Sequence, residues 1–288
     1  VGDGKKAKVR GKGRGRNVTP DVHQLYEASV QSLDADLDFV RKVYKRANGK
    51  TFHLLREDFC GTAALACRWV ERGRRNRSLG VDLDEPTLAW GRKNRVAALG
   101  DAAERVTLLH ADVRHVRAPK VDVAVAFNFS YCVFKTRKRL RTYFEAVKKG
   151  LLPGGVFVLD LFGGSDAMGE INEKRHIPAS KALDGTKVPP FTYIWEQASF
   201  NPVDHHILCY IHFKLKDGRK IRKAFTYDWR MWMIPEIREL LAEAGFASSD
   251  VWVEGWDDEE QDGDGIFRKK KRFENQAGWV AYVVGYVD

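Results

Sequence analysis

The stretch that most constrains this chain is His53-Leu54-Leu55-Arg56-Glu57-Asp58-Phe59-Cys60-Gly61-Thr62-Ala63-Ala64-Leu65-Ala66. Phe52 to Leu55 is a short apolar run, too short for a helix and suited to a buried strand of a parallel sheet. Gly61 lets the backbone turn and a ligand approach closely, and Thr62 is placed to cap the small-residue helix that follows. A strand, a glycine turn and a helix N-terminus are how open α/β sheets build a nucleotide-sized crevice.

What the turn lacks narrows the ligand. A dinucleotide fingerprint needs three spaced glycines so that the backbone can wrap a pyrophosphate. Aligned on Gly61, the other two positions are Phe59 and Ala64. The turn also brings two carboxylates, Glu57 and Asp58, where a phosphate is repelled. A cationic ligand without phosphate suits it, and S-adenosylmethionine carries a sulfonium, an amino group and no phosphate.

A chain of 288 residues buries one sizeable core, as one large domain or a domain with an insertion. Cys60, Cys67, Cys132 and Cys209 have no paired-ligand spacing and lie in apolar segments, so they read as reduced, buried thiols. No signal-peptide pattern and no apolar run of 18 residues is present, and a cytoplasmic location is expected. The net charge of +10 is concentrated in the Gly/Lys/Arg stretch Gly4 to Arg16, which has the composition of a disordered tail. That tail is open to RNA, to an acidic partner or to solvent alone.

Asp21 to Arg46 is helical, with a break expected near Ser32 to Asp36, and Tyr26, Glu27 and Gln31 sit beside its apolar face. From the central strand onward the pattern is βαβ. A second strand ends Gly80-Val81-Asp82-Leu83-Asp84, and Asp82 has the spacing of an acid that accepts from ribose hydroxyls; a carboxylate offers two acceptors to a diol. Asp84 is open to the same role or to starting the next helix, Pro86 to Leu99. A third strand, Val106 to Leu109, leads to Asp112, open to accepting the adenine amino group or to capping its loop. The fourth, Val121 to Phe127, opens at Asn128-Phe129-Ser130-Tyr131, where α/β sheets place reacting groups. The fifth is Val156 to Leu161, after helix Arg139 to Gly150 and the turn Leu152-Pro153-Gly154-Gly155.

Glu57 to Ala63, Gly80 to Asp84, Ala111 to Val113, Leu152 to Gly155, and Pro235-Glu236-Ile237 through Ala244-Gly245-Phe246 together resemble the class I S-adenosylmethionine-dependent methyltransferases, in a bacterial small-molecule subgroup. Phe59 and Ala63 stand where that family has glycines, and Glu57 where aspartate is commoner. The resemblance implies an α/β, Rossmann-like sheet of seven strands, the last antiparallel. It carries cofactor contacts onto Tyr26, Glu57, Asp58, Cys60, Gly61, Thr62, Asp82, Leu83, Asp84, Asp112, Val113 and Asn128. The implied reaction is in-line methyl transfer from the sulfonium to a small-molecule N or O acceptor. It needs no metal, and no His/Cys/Asp cluster has metal spacing; Tyr131 is the candidate catalytic group.

The expected organisation is a basic tail over residues 1–20, a core of 21–161 and 231–288, and an insertion of 162–230 after the fifth strand. Residues 162–190 read as irregular. Then Phe191 to Phe200, His206 to Leu215 and Lys220 to Trp229 read as an antiparallel β-meander, and the resemblance implies that it is a lid over the substrate. Phe134, Tyr193, Trp195, His212, Tyr227 and Arg230 are its candidate acceptor contacts; Arg230 suits a carboxylate, and the aromatics suit a cationic amine. After helix Pro235 to Ala244 come strands Val251 to Trp256 and Trp279 to Val287 around a charged loop. Asp258, Glu260 and Asp262 imitate a calcium loop, but Lys269 stands at its closing position. The rival readings are a nucleic-acid or protein methyltransferase using residues 1–16, a non-catalytic module of the same fold, and a nicotinamide oxidoreductase, which the missing glycines disfavour.

Overall fold

The computed structural model describes residues 20–182, 185–257 and 262–288; the basic stretch of residues 4–16, and Asp258 and Glu260 of the calcium-like sequence, lie outside them. α1 (Val22–Val30) starts at a capping box, with Asp21 accepting from the backbone of His23 and Gln24 returning to the backbone of Asp21. α2 (Leu33–Asn48) follows after a two-residue break. The core then runs β1 (Leu54–Asp58), α3 (Ala64–Glu71), β2 (Arg77–Asp82), α4 (Glu85–Gly91), β3 (Val106–His110), β4 (Val121–Ala126), α5 (Arg137–Lys149) and β5 (Leu151–Gly163). Next come β6 (Ile171–Ile177), β7 (Ser180–Lys181), β8 (Lys187–Val188), β9 (Phe191–Asn201), β10 (His206–Leu215) and β11 (Lys220–Arg230). α6 (Ile234–Glu243), β12 (Ser248–Asp257), β13 (Asp262–Lys269) and β14 (Trp279–Tyr286) close the chain.

The large sheet has the order β13-β12-β14-β5-β4-β1-β2-β3. β3, β2, β1, β4 and β5 are mutually parallel, and β14 enters antiparallel between β5 and β12. This is the class I methyltransferase fold that the sequence pattern implies, extended by one strand. β13 pairs antiparallel with β12 at the edge, in a segment read from sequence as loop. Side chains alternate between two helical layers. Leu55, Val123, Val125, Val156 and Val158 pack with Leu37, Val40 and Val43 of α2 and Trp69 of α3. Ala124, Ala126, Phe157 and Leu159 pack with Leu140, Tyr143 and Phe144 of α5 and Leu240 and Leu241 of α6. Coverage on both faces is why these strands are continuously apolar. The strand order reverses between β1 and β4, and the crevice of such a sheet opens there.

A second, four-stranded antiparallel sheet has the order β11-β10-β9-β6. β6, in a segment read as irregular, is its edge strand; Ile-Asn-Glu-Lys-Arg-His-Ile is polar and largely exposed, so it shows no apolar alternation. The helix expected over Pro86 to Leu99 ends at Gly91, continues as one π-helical turn, Arg92–Val96, and then as 3-10 turns to Arg105. The wider π turn aims Arg95 inward, where it is buried against Glu27 of α1. Among the described residues no helix is long and apolar enough to cross a membrane.

Candidate cofactor and acceptor site

The crevice begins where β1 ends. Phe59, Gly61 and Ala63 have φ of 57°, 52° and 60°, so the turn alternates into the left-handed region at the two positions without glycine. Such residues cost on the order of 1–2 kcal/mol each relative to glycine, and the packing offsets it. The Phe59 ring lies 5.5 Å from that of Tyr143 and 5.9 Å from that of Phe134, and Ala63 is fully buried. Neighbouring strands fix the turn: Cys60 N donates to Val81 O at 3.0 Å and Gly61 N to Asp82 Oδ2 at 2.7 Å. Gly91 of α4 lies against it. A Cβ there meets Thr62 O at 2.5 Å and Thr62 C at 2.9 Å, both backbone. Gly91→Ala is therefore expected to destabilise the protein by about 1–3 kcal/mol, as overpacking does, with a drop in Tm that bound S-adenosylmethionine does not recover.

The carboxylates divide into two groups. Asp58 is committed to structure: Arg56 Nε and Nη2 reach its oxygens at 2.8 and 2.7 Å, and the Tyr143 hydroxyl adds a bond of 2.9 Å. Glu57, Asp160 and Asp36 have no such cation; among the described residues none of them forms an ion pair. Glu57 accepts from Ala66 N at 2.9 Å, in the first turn of α3. Asp160, near the carboxyl end of β5, accepts from Asn128 N at 2.8 Å and Phe129 N at 2.9 Å. Asp36 accepts from the Tyr282 hydroxyl at 2.8 Å. Burial, with mutual repulsion among acids, raises their pKa values to about 8, about 7 and about 6 respectively. Asp82 lies at the end of β2, adding to the field on Glu57. Its second oxygen, Oδ1, accepts from Asp84 N at 2.9 Å, and each oxygen keeps a further lone pair for a hydroxyl donor. Leu83 beside it is 64% exposed, an apolar surface at the crevice rim.

α1 closes this region. Glu27 is bound by Arg95 through Nε at 2.9 and 3.0 Å and through Nη2, and it accepts from the Thr62 hydroxyl at 2.6 Å. Tyr26, next along, shares a hydroxyl hydrogen bond with Tyr227 of β11 and packs 4.8 Å from Phe225. The buried Tyr26 hydroxyl feels both Asp160 and Glu57, so this helix bridges the acidic crevice and the second sheet. On the sheet's inner face Tyr227 and Trp229 lie 4.3 Å apart, and Trp195 lies 5.9 Å from Tyr227. Phe129, at the end of β4, lies 4.8 Å from Phe162 and 6.4 Å from Trp229.

The structure thus gathers Tyr26, Glu57, Gly61, Asp82, Leu83 and Asn128 around one crevice, with Tyr193, Trp195 and Tyr227 on the sheet beside it. The other expected contacts have different surroundings. Asp58 faces the buried Arg56. The Cys60 thiol is turned into a small apolar cluster with Ala63, Ala66 and Leu88. Thr62 binds Glu27 and does not cap α3, whose N-cap is Ala63. Asp84 accepts from Thr87 at the start of α4. Asp112 sits in its loop already bound by Arg114, which holds its carboxyl below the usual range, and Val113 is buried in the main core. Tyr131 is fully buried and its hydroxyl has no partner among the described residues, so it does not open on the crevice. Phe134 is buried and packs 5.3 Å from Tyr143 in the α5 layer. In β10, Phe213 pairs with Tyr193 of β9 and faces inward, so His212 must face outward. There it binds Glu196 at 2.8 Å and accepts from Lys223 N at 3.0 Å. Arg230 is neutralised by Glu236 at 3.0 Å and lies 3.9 Å over the Trp232 ring.

The donor set fits a cationic nucleoside: unpaired buried acids, a diol acceptor, an apolar rim and a tight left-handed turn. Residues 57–159 match a family model described as a methyltransferase domain. Residues 57–159 carry a methyltransferase domain, within a sheet of the class I methyltransferase fold. The chain's solved structural neighbours agree in fold. One is an S-adenosylmethionine-dependent methyltransferase from Clostridium acetobutylicum, at 19% identity and TM-score 0.64, covering 92% of this chain and 98% of the other. An amino pentose methyltransferase of calicheamicin biosynthesis from Micromonospora echinaspora, solved with S-adenosylmethionine bound, has 16% identity and TM-score 0.63, over 94% and 99%. A sugar N-methyltransferase from a Streptoalloteichus species has 15% identity and TM-score 0.61, over 100% and 98%. No curated protein sequence matches the chain.

Two residues of this crevice escape a reading of the sequence. Asp160 did leave a signal, as the single acid in the otherwise apolar run Val156 to Phe162. Arg95 left none, because it meets Glu27 across 68 positions through a π-helical turn.

Proposed function

We propose that this enzyme methylates the amine of a small molecule held between the crevice and the second sheet, with β6 to β11 acting as the acceptor-binding lid. The observation that carries this reading is the row of rings formed by Tyr26, Tyr227, Trp229 and Trp195, with Phe129 and Phe162 adjoining it, next to the unpaired acids Glu57 and Asp160. Aromatic faces and carboxylates attract a cationic amine and give a neutral alcohol no comparable gain. S-adenosylmethionine supplies an activated methyl on sulfonium when bound. Glu57 and Asp82 are the residues that would hold its cationic and diol parts, and Leu83 would cover its base. The acceptor reacts as the free amine, its ammonium proton released to solvent before the nitrogen lone pair takes the methyl and S-adenosylhomocysteine leaves. The chain's own part in transfer is alignment and exclusion of water, with the rings shielding the acceptor nitrogen. Two structural neighbours are named for amino-pentose and sugar N-methylation, so amino sugars are the natural first acceptors to try.

The test is S-adenosylhomocysteine formation from a panel of amino sugars against matched hydroxyl compounds, using wild type and Trp195→Ala. Turnover confined to amines and lowered in the variant supports the reading; turnover with alcohols alone overturns it. The cofactor contact is tested separately by calorimetry. Asp82→Ala is expected to weaken S-adenosylmethionine binding by about tenfold, a loss of about 1.4 kcal/mol, and unchanged affinity would remove Asp82 from the site.

A further inference from the structure

We propose that Asp160 is a positioning residue for cofactor binding: its carboxylate, on β5, holds Asn128 and Phe129 in the turn after β4 that walls the crevice. The inference rests on this crevice being the S-adenosylmethionine site.

Asn128 and Phe129 have φ of 58° and 57°, two consecutive non-glycine residues in the left-handed region. Neither is β-branched, and asparagine tolerates that region better than most, yet a pair in sequence needs an external hold. Asp160 provides it with one oxygen for each N–H, at 2.8 and 2.9 Å. Successive backbone N–H groups converging on one anion form a nest, and an ionised carboxylate fills it with two charge-assisted bonds. The chain beyond is tied to the same turn, since the Ser130 hydroxyl donates to Phe127 O at 2.8 Å and Cys132 N to Phe129 O at 2.9 Å. Everything on the crevice side of β4 therefore takes its place from Asp160: the partly exposed Asn128, and the Phe129 ring against Phe162 and Trp229.

A protonated carboxyl holds the two N–H groups less well, because the oxygen that carries the hydrogen is a weaker acceptor and the charge is lost. The groups that face Asp160 are Asp36 from α2, Tyr26 from α1, Tyr131 and Cys132 from the 3-10 turn after β4, and Tyr282 from β14; none is a cation. Burial and Asp36 raise its pKa to about 7. The hold on the turn is accordingly full above neutrality and slackens below it.

The test is calorimetric titration of the full chain with S-adenosylmethionine, for wild type, Asp160→Asn, Asn128→Gly and the double variant, at pH 6.0, 7.0 and 8.5. Asparagine keeps one acceptor and loses the other, and affinity is expected to fall about tenfold at pH 8.5. Glycine enters the left-handed region unaided. The double variant should therefore bind more tightly than the product of the two single effects requires. A carboxylate that acted only by its charge on the cofactor would show no such rescue, and that result overturns the proposal. Equal affinity of Asp160→Asn and wild type overturns it as well. Should Asp160→Asn not fold, Asn128→Gly alone decides: it should reduce the loss of affinity that wild type shows from pH 8.5 to 6.0, and an unchanged pH dependence counts against the proposal. Absence of binding by wild type would overturn the cofactor site itself, a distinct failure.

Discussion

Asp58→Ala is expected to destabilise the protein by about 3–5 kcal/mol, the range for removing one partner of a buried ion pair. Both side chains of the Arg56–Asp58 pair are fully buried, beneath the cofactor turn. Their geometry is bidentate, Arg56 Nη1 is satisfied by Val116 O at 3.0 Å, and Tyr143 supplies the remaining bond to Asp58. Removal of Asp58 leaves a guanidinium that cannot lose its proton and has no route to water. It also frees the Tyr143 hydroxyl in the apolar layer of α5. At about 2–4 °C per kcal/mol, Tm should drop by roughly 6–20 °C. Tyr143→Phe removes one bond and leaves the ion pair, so it should cost only about 1–2 kcal/mol, the scale of a hydrogen bond to a charged group. Thermal unfolding of the three proteins at pH 7.5 separates these outcomes. A drop under 2 °C for Asp58→Ala would return Asp58 to the list of cofactor contacts.

This pair also marks where sequence reading stops. Glu57 and Asp58 are adjacent acids at a strand end, and both look fit for a cation. Alternation sends them to opposite sides of the sheet's end, and only Asp58 meets the arginine two residues earlier on its own face. The strand–turn–helix and the parallel core were legible because burial on both faces writes continuous apolar runs. The left-handed turn was legible only in outline. Phe59 and Ala63 read as departures from a glycine pattern, whereas the backbone keeps the glycine conformation and packs the two side chains. In the second sheet, composition revealed the aromatics but not the face. The β10 register puts Tyr193 and Trp195 inward and His212 outward, and Glu236 takes Arg230; neither fact has a local signature. β6 was illegible for the opposite reason, since an exposed edge strand has no apolar face to record.

The second large effect expected is a stability that runs against pH until the cofactor is present. Glu57, Asp160 and Asp36 have folded pKa values raised above the ordinary carboxylate range, to about 8, 7 and 6. The folded chain then binds more protons than the unfolded one between about pH 4 and 8. Stability must fall as pH rises through that window, and level off above it. The slope is at most about 1.4 kcal/mol per pH unit for each group. Glu57→Gln keeps an acceptor for Ala66 N and removes one ionisation. Its Tm should exceed that of wild type by a margin that grows from pH 5.5 to 8.5. Cofactor binding should move the other way. A cation delivered to the crevice favours the ionised acids, so wild type gains more Tm from saturating S-adenosylmethionine at pH 8.5 than at 5.5. The glutamine variant shows less of that difference and binds the cofactor on the order of 10–100-fold more weakly, the equivalent of losing a charge-assisted hydrogen bond. Differential scanning calorimetry on both proteins, with and without cofactor at the two pH values, gives all four quantities. A glutamine variant that is no more stable at pH 8.5, or that binds as wild type does, would show that Glu57 caps α3 and does no more. If both effects occur, the stability that the empty crevice forgoes is what makes it selective for a cation.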